Sequence, residues 1–175
     1  MKGERLASVE GFEVIQECED WMAVSKPAPL IVHPTDKKGQ STLLGGLQAL
    51  LAFEIANGCQ LSIITRLDRE TSGIVLVAKN KTTARAFSRA MERRLFKKQY
   101  HAIVYGRPDW KEMTVDQPLT HVREFQESRI WLKQGVHESG KPAVTHFTCV
   151  QHSGDYSLLR AVSYTHLTLP TICSV

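Results

Sequence analysis

The sequence predicts an α+β fold: a mixed or antiparallel sheet with flanking helices. Three observations carry that expectation. Short alternating segments outnumber long amphipathic ones, only two stretches read as helices, and residues 74–78 (IVLVA) form an apolar β-branched run suited to a sheet.

Residues 12–18 and 21–25 alternate as short strands joined by the acidic turn Glu19-Asp20. Lys26-Pro27-Ala28-Pro29 must interrupt regular pairing, because neither proline can donate an N–H. Residues 31–34 and the polar run 35–40 then read as loop. Ser41 suits the N-cap of a helix reaching about Asn57, with Gly58 at its C-terminal end. Residues 62–65 begin another extended segment, and the run at 74–78 is of the kind a sheet buries on both faces. Between them lies a polar insert, residues 66–73. A second helix is expected from Thr82 to about Leu95, then a strand at 99–105 ending at Gly106-Arg107-Pro108. Further strands are expected at 113–115, 129–133, 144–150 and 156–160, with no internal repeat.

Composition narrows the class. A chain of 175 residues with 42% hydrophobic side chains can bury a real core and fits one domain, or one domain cut short. Lys plus Arg number 22 against 18 acids, a formal net charge of +4, which permits a polyanionic partner without demanding one. Cys18, Cys59, Cys149 and Cys173 form no CxxC pair, which disfavours a zinc ribbon or a deaminase-type metal site. The opening MKGERLASVEGFEV lacks the basic-then-apolar pattern of a secretory signal. The longest apolar stretch, residues 43–55, is too short and too interrupted to span a bilayer. These features read as a soluble cytoplasmic protein with reduced thiols.

Chemistry concentrates in Arg66-Leu67-Asp68-Arg69-Glu70-Thr71-Ser72-Gly73. Two arginines flank one aspartate on a loop between hydrophobic runs, the kind of place where reactive groups are displayed by a rigid sheet. Neighbouring cations favour the carboxylate form, and an ionised, fixed carboxylate can act as a covalent nucleophile. Taken as an isolated Arg-x-Asp-Arg, the same residues read as a solvated turn with a surface ion pair.

The continuous IITRLDRETSGIVLVAKN closely resembles the signature of the RluA-type pseudouridine synthases: Arg-Leu-Asp, two variable residues, then Thr-Ser-Gly. Every fixed position is present, at Arg66, Leu67, Asp68, Thr71, Ser72 and Gly73; Thr65 stands where the family often has histidine. DWMAVSKPAPLIVHP at 20–34 is similar to the family's lysine-proline strand and loop, with Pro29 where glycine is commoner. KQYHAIVYG at 98–106 is similar to its Lys-x-Tyr strand, and GKPAVT at 140–145 resembles its later Gly-Lys-x-Ala-x-Thr segment. The motifs occur in the family's order and run from about Phe12 to Arg160.

The resemblance implies an RNA pseudouridine synthase that needs no metal or organic cofactor and acts on rRNA or tRNA as a monomer. It implies Asp68 as the catalytic group, either attacking the ribose or removing a ribose proton. Arg66 would occupy the space left by an extruded nucleotide, since a stacked base must be flipped out before its glycosidic carbon is reachable. Tyr100 matches the tyrosine that packs against the target base. Lys26 and His33 receive no part in the chemistry.

Arg85, Arg89 and Arg93 recur every four residues and would line one helical face, able to track phosphates or simply to face solvent above an apolar side of Ala84, Phe87, Ala90 and Met91. The family's Thr-Gly-Arg-x-His-Gln-Ile-Arg continuation has no match after Arg160. Residues 1–160 therefore read as a partial catalytic domain and 161–175 as a non-matching, foreign or disordered tail, so little activity is expected of the chain as it stands. Two other classes compete. A non-catalytic RNA-binding module would keep the basic helix and fail a base-modification assay. A glycoside hydrolase would need a second carboxylate as acid, and Glu70, beside Asp68 and flanked by arginine, suits that poorly.

Overall fold

The computed structural model describes residues 8–9, 11–34, 41–128 and 133–163. They divide into two compact units with the boundary between Arg89 and Ala90. Among the described residues no helix is long and apolar enough to cross a membrane.

The first unit holds a five-stranded sheet: β1 (Ser8–Val9), β2 (Phe12–Glu17), β3 (Trp21–Lys26), β4 (Ser62–Ile63) and β5 (Gly73–Ala78). Its order is β1-β2-β3-β5-β4, and every neighbouring pair is antiparallel. Alternation decides its faces. Phe12 and Val14, Met22 and Val24, and Val75 and Val77 turn the same way and form one buried cluster. The helix α1 (Leu43–Leu50) lays Leu43 and Leu47 on that cluster, joined by Leu51 just beyond it. Each such aliphatic side chain is stabilised by roughly 1.5–3 kcal/mol on leaving water. Gly46 permits the close approach, because a Cβ there would lie 2.7 Å from a ring carbon of Phe12.

Burial corrects one expectation about β5. Ile74 is 64% exposed, while Val75 and Val77 are buried. The run is apolar throughout, yet at Ile74 it is not covered on both faces; antiparallel sheets commonly leave one face open.

The first helical stretch is two helices, α1 and α2 (Ala52–Ala56), parted at Leu51. Its N-cap is Thr42 rather than Ser41: Thr42 Oγ1 accepts from the Gly45 N–H at 3.1 Å. Two further free N–H groups of that first turn donate outward, Leu43 to the Ile31 carbonyl and Leu44 to the Val32 carbonyl. The loop after Lys26 is thereby tied to the helix that covers the core. Gly58, at φ +100°, ends the second piece as expected.

The helix α3 (Lys81–Glu92) starts on Asn80, whose Oδ1 accepts from the Thr83 N–H at 2.8 Å. It stops earlier than its composition suggests. Arg94 adopts φ +57°, Leu95 N–H donates to the Ala90 carbonyl and Arg94 N–H to that of Met91. This is the Schellman arrangement with arginine in the place glycine usually takes, which is why the stop was not visible in the sequence.

The second unit contains β6 (Lys98–Tyr105), β7 (Glu112–Asp116), β8 (Leu119–His121), β9 (Gln134–Val136), β10 (Val144–Ser153) and β11 (Tyr156–Ser163). Four of these form an antiparallel sheet in the order β6-β11-β10-β7, and β8 pairs with β9. Within β11, Ser157, Leu159, Ala161 and Ser163 are buried, so one face of this strand is covered. The strand continues three residues past Arg160, and Ala161 and Ser163 pair with Tyr100 and Lys98. Apart from Lys133, the strand expected at 129–133 lies outside the described residues, as does the tail from residue 164 onward.

Candidate active site

The segment 66–73 leaves the sheet at β4 and returns as β5. Its start is clamped: Ile64 N–H donates to the Leu76 carbonyl at 2.8 Å, and Leu76 N–H donates to Thr65 Oγ1 at 2.9 Å. Thr65 thus has a structural use at the position where the resembled family often has histidine. Leu67 is half-buried and packs against the first core, while Arg66 and Asp68 on either side are exposed. The Thr71 N–H donates to the Asp68 carbonyl at 3.1 Å, closing a turn with Arg69 and Glu70 at its corners. Gly73 has φ +138°, a backbone state that side chains resist, so glycine is required where the loop rejoins the sheet. The result is a short loop anchored at both ends and in its middle, holding a carboxylate in solvent.

The support beneath it is Lys26. Its side chain is fully buried, and Nζ donates to the carbonyls of Pro27 (3.0 Å), Leu30 (2.7 Å) and Arg69 (3.2 Å). An ammonium has three protons, and three carbonyls receive them. One cation therefore fastens the lysine-proline loop to the aspartate loop, 43 residues away in sequence. Burial pushes the Lys26 ammonium below its usual pKa, while the negative charges of Glu70 and Asp68 act in the opposite direction.

The sequence left Lys26 between packing its stem to reach the loop or a phosphate and a purely structural role, and the structure shows its ammonium reaching the loop at Arg69. A signal was available: Met22, Val24 and Lys26 occupy alternate positions of β3, and the first two are core residues. A lysine in that inward register must be paired or hydrogen-bonded. The arginines were expected to supply the positive field instead. Arg69 Nε forms an ion pair with Glu70 Oε1 at 3.2 Å, both side chains more than half exposed, a geometry that contributes little to stability.

The remaining sequence-selected residues distribute as follows. Arg85 and Arg89 are exposed on α3, with Ala84, Phe87, Ala90 and Met91 half-buried on its other side. Arg93 is exposed but lies just past the helix, as its C-cap, so the expected three-arginine helical face holds two. Tyr100 is half-buried on β6 in the second unit, paired with Ala161. Lys98 lies two residues earlier on the same strand, and burial pushes its ammonium down.

Residues 20–165 match the family model described as RNA pseudouridylate synthase. The chain belongs to that family. It is 35% identical over 137 residues to an uncharacterized RNA pseudouridine synthase of Chloroflexus aurantiacus, covering 77% of this chain and 41% of that protein. It is 31% identical over 151 residues to ribosomal large subunit pseudouridine synthase D of Escherichia coli K12, covering 85% of this chain and 44% of the relative. The chain therefore spans about half the length, or less, of these curated relatives. Among solved structures, human RNA pseudouridylate synthase domain containing 4 superposes with a TM-score of 0.69 at 21% identity, over 89% of this chain and 60% of the human one. That likeness establishes a pseudouridylate synthase fold, α+β with antiparallel sheets, as the motif order implied. Both the lysine-proline loop and residues 66–73 fall within the matched region.

Proposed function

We propose that this chain carries the catalytic core of an RNA pseudouridine synthase that isomerises uridine in rRNA or tRNA, with Asp68 acting on the ribose. The observation that carries this reading is the braced loop: Asp68 stands in solvent on a turn whose backbone at Arg69 is held by the buried Lys26 ammonium. A reacting carboxylate gains from being fixed before substrate arrives, because ordering costs are then met by folding rather than at the transition state. The reaction breaks the N-glycosidic bond, turns the base and rejoins it through carbon, so atoms balance without an added reactant. Arg66 would fill the gap left by the flipped nucleotide, and Tyr100 would lie against the base. Arg85, Arg89 and Arg93 would contact phosphates. On this reading the protein works in the cytoplasm, as a monomer, without metal or cofactor.

The test is pseudouridine formation on transcribed rRNA and tRNA, read by carbodiimide labelling and mass spectrometry. It is run with the chain and with a fusion that carries the parts of the Escherichia coli relative lying outside the match. New pseudouridine is expected from the fusion and none from its Asp68→Asn form, which keeps the side-chain shape but removes the reacting carboxylate. Activity surviving in Asp68→Asn at more than about one part in a hundred would remove Asp68 from the chemistry. A folded, RNA-binding fusion without any product would favour a binding module.

A further inference from the structure

The second sheet contains a thiol–imidazole–hydroxyl relay that the synthase reaction does not use. Residues three apart on a regular strand point to opposite faces, so Cys149 and His152 should not meet. Between them β10 slips register: Cys149 pairs with Leu159, Gln151 pairs with Leu158, and Val150 is the extra residue. The bulge restores parity. Cys149 and His152, opposite Leu159 and Ser157, now share the face on which those two β11 residues are buried.

The hydrogen bonds then fix the state of the histidine. Ser157, 1% exposed, donates its hydroxyl proton to the Gly106 carbonyl at 2.6 Å. A hydroxyl has one proton, so towards His152 Nδ1, 2.8 Å away, Ser157 Oγ must accept. Nδ1 therefore carries the ring proton, and Nε2 carries the lone pair. Nε2 is also the nitrogen nearer the Cys149 sulfur, at 3.5 Å against 3.9 Å for Nδ1. The only proton on the Cys149 thiol faces a basic nitrogen whose tautomer is held from behind by a buried group. Cys59 provides the contrast within the same chain. Its thiol donates to the Lys79 carbonyl at 3.2 Å, and burial pushes its pKa up.

We propose that Cys149 is a nucleophilic thiol, with His152 as its base and Ser157 as the positioning residue, that exchanges with low-molecular-weight disulfides of the glutathione type. His152 Nε2 takes the thiol proton, and the Cys149 sulfur attacks one sulfur of the disulfide. One S–S bond forms, the original S–S bond breaks, and the departing thiolate takes the proton back from the imidazolium. A mixed disulfide and one free thiol result, with no other oxidant. The modification would sit on the β10–β11 hairpin and is independent of the chemistry proposed for Asp68.

The full 175-residue chain is incubated with oxidised glutathione at pH 7, quenched in acid, and mapped by peptide mass spectrometry. Cys149 is expected to form its mixed disulfide roughly tenfold faster than the exposed Cys18, with Cys59 slowest. His152 is exposed, so His152→Gln should leave the fold intact while lowering the Cys149 rate to that of Cys18 and leaving Cys59 unchanged. Equal rates at Cys149 and Cys18, or a Cys149 rate indifferent to His152→Gln, would overturn the proposal.

Discussion

The two larger sheets among the described residues bury their apolar side chains very differently. In the first unit, strands β2, β3 and β5 and the helix α1 together enclose ten buried hydrophobic residues in a single cluster. In the second unit, β11 covers one face through Leu159 and Ala161, yet Ile103 and Tyr105 on its neighbour β6 are 76% and 79% exposed. Tyr105 rests edge-on against Tyr156, itself more than half exposed. A sheet closed by its own helix is a rigid base, and the aspartate loop is mounted there. A sheet that shows large apolar side chains is suited to contact with something else, and residues on it are held less tightly by the core.

That contrast can be broken most severely at Leu47. Leu47→Ala is expected to remove about 2–5 kcal/mol of unfolding free energy, since the side chain is fully buried and a cavity remains. Urea unfolding followed by circular dichroism measures it, and a loss under about 1 kcal/mol would show the first core to be looser than its packing indicates. Lys26→Met comes next. The stem volume is kept, but the Pro27, Leu30 and Arg69 carbonyls lose their donor, with an expected cost of about 1–3 kcal/mol. Hydrogen exchange should rise specifically at the amides around Arg69, where the brace is lost; exchange unchanged there would mean the loop holds its shape without Lys26.

Smaller effects test the other side. Ile103→Thr changes an exposed position and should stay within about 0.5 kcal/mol of the parent. A cost like that of Leu47→Ala would mean that Ile103 is covered in solution. Arg85→Ala, Arg89→Ala and Arg93→Ala combined should barely move the melting point. On the proposed function their effect would fall on RNA binding, each lost phosphate contact lowering the slope of log affinity against log salt by about 0.7–0.9. A slope equal to the parent's would assign these arginines to solvent.

The sequence alone determined whatever depends on local periodicity and on motif. Alternation located β2 and β3, the strand expected at 99–105 formed as β6 one residue longer, and Gly58 marked a real helix end. The order of motifs led to the family and to the loop that displays Asp68. These features are legible because strand parity and turn chemistry are decided within a few residues of chain.

Tertiary structure decided the rest, because burial is settled by which element covers which face. Ile74 belongs to the same apolar run as Val75 and Val77 but lies uncovered. Arg94 ends α3 in a conformation its side chain does not favour, held by two backbone hydrogen bonds. One extra residue at Val150 brings Cys149 and His152 onto a common face, which strict alternation would forbid. Lys26 shows the division most clearly. Its register is written in the spacing of Met22, Val24 and Lys26, but its partner carbonyl at Arg69 comes from a loop 43 residues later. Only the pairing of β3 with β5 brings the two together.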